Sequence, residues 1–181
     1  MANGTRVESG RVVLCPFNDA FWAPGRRWYN DPEIITLTSD DQSELTESEF
    51  RATIEADLTA DHSVVFGIRD ENEDPIGIGI LRNIDPVHGG GELHITIGER
   101  RCWNQGYGAE AISAMRDYAF EVAGCHKVLS TPFLENPRMI RCLEKCGFER
   151  EGTLREALKQ GDQFIDIVLM GLINPKDVTV S

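Results

Sequence analysis

The stretch Glu92-Leu93-His94-Ile95-Thr96-Ile97-Gly98 leads, through Glu99, into Arg100-Arg101-Cys102-Trp103-Asn104-Gln105-Gly106-Tyr107-Gly108 and on into Ala109-Glu110-Ala111-Ile112. Its first part alternates, so an extended chain puts Glu92, His94 and Thr96 on one face and Leu93, Ile95 and Ile97 on the other. Its last part begins a helical pattern, with Ala111, Ile112, Met115, Ala119 and Val122 on one face and Gly124 placed to end it. Between the two, Gly106 and Gly108 let the backbone come close to a ligand, and the unpaired N–H groups at a helix start attract phosphate oxygens. The segment therefore predicts a strand, a phosphate-binding turn and a helix. It is neither the GxGxxG of a dinucleotide fold nor the Gly-Lys-Ser/Thr of a P-loop, and on these residues alone a plain tight turn remains an alternative.

Working outward toward the N-terminus, Val64 to Ile68 and Ile76 to Leu81 are strand-like runs. Turn residues at Asn72 to Pro75, Asp85-Pro86 and Gly89-Gly90-Gly91 join them to Leu93–Ile97 as an antiparallel meander. Arg11 to Cys15 is a further strand. Asn18-Asp19 caps a helix through Phe21, Trp22 and Trp28, which stops at Asn30-Asp31-Pro32. Thr38 to Glu47 reads as a loop, and Thr46 or Ser48 starts a helix through Phe50, Ile54 and Leu58. Toward the C-terminus, Val128 to Phe133 is a strand and Asn136 to Cys146 a helix closed by Gly147. Phe148 to Leu158 and Phe164 to Leu172 are two strands around Gln160-Gly161-Asp162, and a tail follows from Asn174. The expected division is an N-terminal segment over 1–10, one domain over 11–173 and a C-terminal tail over 174–181.

Composition excludes several function classes. With 181 residues, 41% hydrophobic and 27% charged, the chain can bury a core as one domain. A formal net charge of −12 argues against a nucleic-acid partner, because phosphate binding on that scale needs clustered Lys and Arg. It is compatible with a cationic acceptor such as an amine. No run approaches the roughly 20 apolar residues that span a bilayer, and Met1 to Gly10 lacks the apolar centre of a signal peptide, so no membrane partner and a cytoplasmic location are expected. Five cysteines without a CxxC pair suggest neither a disulfide framework nor a zinc site; Cys142 and Cys146 lie one helical turn apart, but buried free cysteine commonly behaves as a small hydrophobe. No metal is expected.

The stretch Glu92–Gly98 followed by Trp103–Ala111 resembles the coenzyme A motif of GNAT-type N-acetyltransferases, and within them the branch of the ribosomal-protein N-terminal acetyltransferases. Trp28-Tyr29-Asn30-Asp31-Pro32-Glu33 is similar to that branch's early signature. Asn136 with Leu143-Glu144-Lys145-Cys146-Gly147-Phe148 is similar to its later motif, and Glu151-Gly152-Thr153-Leu154-Arg155 with Asp166 to its closing strands. The resemblance runs in order from about Arg11 to Leu172. It implies an α+β fold: a mixed, mostly antiparallel sheet of about seven strands, splayed between the fourth and fifth, with about four helices. It also implies acetyl-coenzyme A as co-substrate, with Gln105, Gly106, Tyr107, Gly108 and Ala109 supplying N–H donors to the pyrophosphate. Backbone groups of Ile95 and Ile97 would pair with the pantetheine arm, and the Asn136 side chain would contact the coenzyme. Trp103 stands where many members carry Gln or Arg, and Leu143 where many carry the tyrosine that protonates the leaving thiolate.

Acetyl transfer to an amine needs a neutral nucleophile, whereas an alkylammonium of pKa about 10 is almost fully protonated at neutral pH. Glu92 is the first candidate for the base that takes the proton, directly or through water, since its spacing to Gly106 is similar to the base position of histone-acetylating members. His94 is second, imidazole being the side chain suited to shuttling protons near neutrality. The acceptor would be a primary amine, either a protein N-terminus or a small molecule, met by the first two helices and the Ser39 to Glu47 loop with its acids Asp40, Asp41 and Glu44. A homodimer is a candidate assembly. The alternative class is a non-catalytic acyl-coenzyme A sensor or interaction domain.

Overall fold

The computed structural model of the chain describes residues 6–38 and 43–177; Asp40 and Asp41 lie outside the described residues. In chain order the elements are β1 (Val7–Ser9), β2 (Val12–Pro16), α1 (Trp22–Tyr29), α2 (Pro32–Thr38), α3 (Glu47–Thr59), β3 (Val64–Arg69), β4 (Pro75–Arg82) and β5 (Gly90–Ile97). There follow α4 (Tyr107–Glu121), β6 (Lys127–Ser130), α5 (Pro137–Lys145), β7 (Glu149–Gln160) and β8 (Gln163–Ile173). The strands form one sheet in the order β1-β2-β3-β4-β5-β6-β8-β7, antiparallel everywhere except between β5 and β6.

The described residues thus carry eight strands and five helices where about seven and four are expected. The added strand is β1, inside the segment set apart as 1–10; Gly10, at φ 59°, turns it back onto β2. The added helix is α2. Pro32 stops α1 but also opens α2, because its missing N–H costs nothing at the first helical position, and Asp31 Oδ1 accepts from Glu33 N at 2.9 Å. β6 ends at Ser130, short of Phe133, which keeps only an isolated bridge to Ile167. Val122 is 54% exposed, since α4 ends at Glu121 before Val122 can turn inward. The expected tail is tied down: Asn174 is buried, its N–H donates to His126 O at 2.8 Å, and His126 Nδ1 lies 3.0 Å from Asp177 Oδ2.

Helices cover both faces of the sheet, and the core is divided accordingly. On one face Phe21, Trp28, Phe50 and Ile54 pack on Val65, Ile78 and Ile80. On the other, α4 and α5 set Ala111, Ile112, Met115, Ala119 and Leu143 against Leu81, Leu93 and Val128. The start of α3 is fixed by the capping box between Thr46 and Glu49. At the end of β5 the Trp28 ring lies directly over Gly98, and its Nε1 donates to Glu99 Oε1 at 2.9 Å. A Cβ on Gly98 would sit 1.9 Å from Trp28 Cγ, so α1 can reach the sheet only with glycine there. Gly98→Ala should therefore cost about 1–3 kcal/mol through overpacking, read as a lower urea midpoint with an unchanged slope.

Candidate active site

The site begins where the sheet comes apart. β5 and β6 pair only over Gly90, Gly91 and Glu92 against Lys127, Val128 and Leu129, and the last tie is Ser130 Oγ donating to Leu93 O at 2.9 Å. Beyond it the rest of β5 is held by β4 alone among the described strands, which leaves one edge of Ile95–Ile97 facing a cleft. Two lobes open there. One, of about 300 Å³, lies against the start of α4 and the face of α5. The other, of about 340 Å³, lies toward α1, α2 and α3. Ile95, Thr96 and Asn136 line both, so β5 is the wall where two bound molecules would meet.

In the first lobe Gly106 caps α4 at φ 96°, a left-handed conformation that disfavours any side chain. Its carbonyl accepts from Glu110 N at 3.1 Å, which leaves the N–H groups of Tyr107, Gly108 and Ala109 as the unpaired donors of the first helical turn. Gly106, Gly108 and Ala109 line the lobe. Gln105 and Tyr107 do not: Gln105 O accepts from Arg11 Nη2 at 2.7 Å, and the Tyr107 hydroxyl turns to Glu71 at 2.8 Å. Glu110, an acid in the turn that would repel phosphate, is bridged by Arg11 through its backbone N at 2.7 Å and Nη2 at 2.6 Å. Burial opposes ionisation of Glu110, but the Arg11 bonds prevail and hold its carboxyl below the usual range.

The same lobe is lined by Arg138, Arg141 and Lys145, one face of α5, in a chain that is acidic overall. Sequence reasoning missed this basic stripe, although its spacing of three and four residues was a readable signal. Asn136 caps α5, accepting from Met139 N at 3.1 Å, with Nδ2 donating to Leu37 O at 3.4 Å. Ile95 and Ile97 line the lobe, but the Ile97 carbonyl accepts from Trp103 Nε1 at 2.7 Å. The guanidinium groups of Arg100 and Arg138 lie 5.3 and 4.9 Å from the centre of the Trp103 ring. Leu143 is buried in the core. Among the described residues no three His, Cys, Asp or Glu side chains gather as a metal would need, and burial pushes the thiols of Cys142 and Cys146 up.

In the second lobe Glu92, His94 and Thr96 share the face of β5 that looks toward α1 and α3. His94 and Thr96 line the lobe. Glu92 sits behind them, where Oε1 lies 3.2 Å from His94 Nε2 and accepts from Thr131 Oγ1 at 3.1 Å, and Oε2 accepts from Asn83 Nδ2 at 3.1 Å. The His94 hydrogen bond, followed by those of Thr131 and Asn83, outweighs burial and lowers the Glu92 carboxyl to about 2. A carboxylate held so low accepts protons poorly. If Nε2–H of His94 donates to Glu92, Nδ1 is left as the accepting nitrogen.

Residues 11–149 match the family model described as the acetyltransferase (GNAT) domain, and the chain belongs to that family. A curated relative, spermidine N(1)-acetyltransferase of Vibrio cholerae serotype O1, is 28% identical over 111 residues, 61% of this chain and 64% of the relative, so the match spans just under two thirds of that protein's length. Among solved structures, an acetyltransferase (GNAT family) from Bacillus anthracis superposes with a TM-score of 0.80 at 19% identity, covering 93% of this chain and 98% of that one. Spermidine N-acetyltransferase from Vibrio cholerae in complex with CoA and spermine does so with a TM-score of 0.81 at 21% identity, covering 90% and 95%. These likenesses show the fold, splayed between β5 and β6; without β1 these are the expected fourth and fifth strands.

Two outcomes test this geometry. A Cβ on Gly108 meets only Cys142 Sγ at 3.7 Å and Ile97 Cγ1 at 3.9 Å, so Gly108→Val should stay folded while losing at least about tenfold in acetyl-coenzyme A affinity by calorimetry, as the added methyl groups bar close approach to the backbone. Because the Glu92 carboxyl is lowered from 4.5 to about 2, its contribution to stability is complete above pH 4.5 and lost as pH falls to about 2. The stability gap between wild type and Glu92→Gln, from urea titrations, should close over that window.

Proposed function

We propose that the chain transfers the acetyl group of acetyl-coenzyme A to a primary amine, by direct attack of the amine on the thioester carbonyl. The observation that carries this reading is the meeting of two lobes at Ile95–Thr96: one has helix-start donors and a basic helix face for phosphates, the other an imidazole aligned by a carboxylate. The N–H groups of Tyr107, Gly108 and Ala109, with the Gly106 turn, would hold the pyrophosphate, and Gln105 would shape the loop through its carbonyl. Ile95 backbone groups would pair with the pantetheine arm. Ile97 would do so only if Trp103 releases its carbonyl, and Asn136 would face the arm from the α5 cap.

The proton of the attacking amine goes to His94, and Glu92 positions that imidazole rather than acting as the base. His94 lines the acceptor lobe, whereas Glu92 has both oxygens occupied and a carboxyl lowered to about 2. The C–N bond forms as the C–S bond breaks, and the thiolate departs without a tyrosine donor, since Leu143 is packed in the core. The curated relative and the coenzyme-bound structure are named for spermidine, which supports an amine acceptor; a protein N-terminus, the substrate of the ribosomal-protein branch, belongs to the same chemistry. A cytoplasmic setting suits this co-substrate, and among the described residues no helix is long and apolar enough to cross a membrane. A non-catalytic sensor would have no use for the aligned imidazole.

Release of free thiol from acetyl-coenzyme A, measured with a panel of amines, tests the activity. His94→Gln should lower turnover by roughly 10²–10⁴ with coenzyme affinity unchanged. Glu92→Gln should cost less, because the amide still offers an oxygen to hold the imidazole in place while the accepting nitrogen of His94 is untouched. Equal losses in both variants, with coenzyme binding intact, would return the base role to Glu92.

A further inference from the structure

The acceptor lobe presents a guanidinium. Arg82, the last residue of β4, lines it together with His94. Its Nε donates to Asp57 Oδ1 and its Nη2 to Asp57 Oδ2, both at 2.6 Å. Asp57 comes from α3 and is only 8% exposed, so this fork is fixed against the helix. The bidentate pair uses two of the five N–H donors of the guanidinium. Nη1 donates to nothing among the described residues, and the Arg82 side chain is 36% exposed.

Among the described residues, the two carboxylates that act on this guanidinium, Asp57 and Glu92, are occupied. Asp57 Oδ1 also accepts from Ser63 Oγ at 3.3 Å. Glu92, directly opposite Arg82 across the strand pair, takes His94, Thr131 and Asn83. Among the described residues neither an aspartate nor a glutamate lines this lobe. What it offers an acceptor is therefore an unused donor edge on a fixed cation, not an unused acid. The register Arg82↔Glu92 and Ile80↔His94 makes Arg82 and His94 diagonal neighbours on one face, roughly 7–8 Å apart at that position of an antiparallel pair. A short acceptor with an amine and a carboxylate on one carbon would offer one group to each of these neighbouring side chains.

We propose that Arg82 is the acceptor-selecting residue: it takes a carboxylate oxygen of the acceptor while the amine meets His94, so the preferred substrate is an amino carboxylate. This rests on the acetyl-transfer reading above and narrows it. Spermidine and related polyamines carry no anionic oxygen for this guanidinium and present it with like charge.

The test compares four acceptors in the thiol-release assay: alanine, alaninamide, isopropylamine and spermidine. The first three share a carbon skeleton and differ in what stands beside the amine. The wild type should give its highest kcat/KM with alanine, less with alaninamide and least with isopropylamine and spermidine. Arg82→Gln should lower the alanine-to-isopropylamine ratio of kcat/KM at least about tenfold. Since that variant leaves Asp57 without its partner, the double variant Arg82→Gln/Asp57→Asn is measured beside it, with the acetyl-coenzyme A melting shift as the control for folding. A ratio lost in both variants supports the proposal. A ratio unchanged in the double variant overturns it, as does a wild type that prefers isopropylamine or spermidine, while either leaves the acetyl-transfer reading standing. Thiol release with none of the four also overturns the proposal, and the wider amine panel then decides the acetyl-transfer reading separately.

Discussion

The three-residue parallel contact between β5 and β6 is the constraint on which the rest depends. Every other neighbour in the sheet is antiparallel, and a sheet zipped throughout would leave no room between its halves. Because pairing stops at Glu92, the backbone of Ile95–Ile97 keeps an open edge, and the cleft forms inside the sheet rather than on top of it. The two faces of that strand then divide the work. Ile95 and Ile97 look toward α4 and α5, where the unpaired helix-start donors would meet phosphate; His94 and Thr96 look toward α1 and α3, where the proposed acceptor would enter.

Local electrostatics run against the overall charge. A chain at −12 would repel an anionic coenzyme, yet Arg138, Arg141 and Lys145 line the phosphate lobe, and Arg11 neutralises Glu110 at its entrance. Among the described residues, two acids beside the second lobe are similarly committed, Asp57 to Arg82 and Glu92 to His94. Net charge therefore says little about what either lobe binds; the unused hydrogen-bonding capacity facing each lobe says more.

Much of this was legible in the residues. The alternation of Glu92–Ile97, the glycines at 106 and 108 and the periodicity of α4 placed strand, turn and helix, and the splayed sheet was implied by the family resemblance that the ordered motifs carry. α2 was missed because Pro32 was read only as a stop, although Asp31 before it is a capping residue. β1 was missed because three residues are too few for a period. The roles proposed for Glu92 and His94 could not be read from alternation, which puts both on one face; the proposal depends on Thr131 and Asn83, the latter held at φ 52°, closing around the carboxylate. The diversion of the Ile97 carbonyl to Trp103 is likewise a matter of tertiary contact.

The most direct test of the account is backbone hydrogen exchange with and without saturating acetyl-coenzyme A, resolved to short peptides. Protection should rise at Ile95–Ile97, at Gly106–Ala109 and around Asn136, and should stay unchanged along β7 and β8. Protection absent from Ile95–Ile97 and Gly106–Ala109, or concentrated on another part of the sheet, would contradict the claim that the gap between β5 and β6 is where the coenzyme is held.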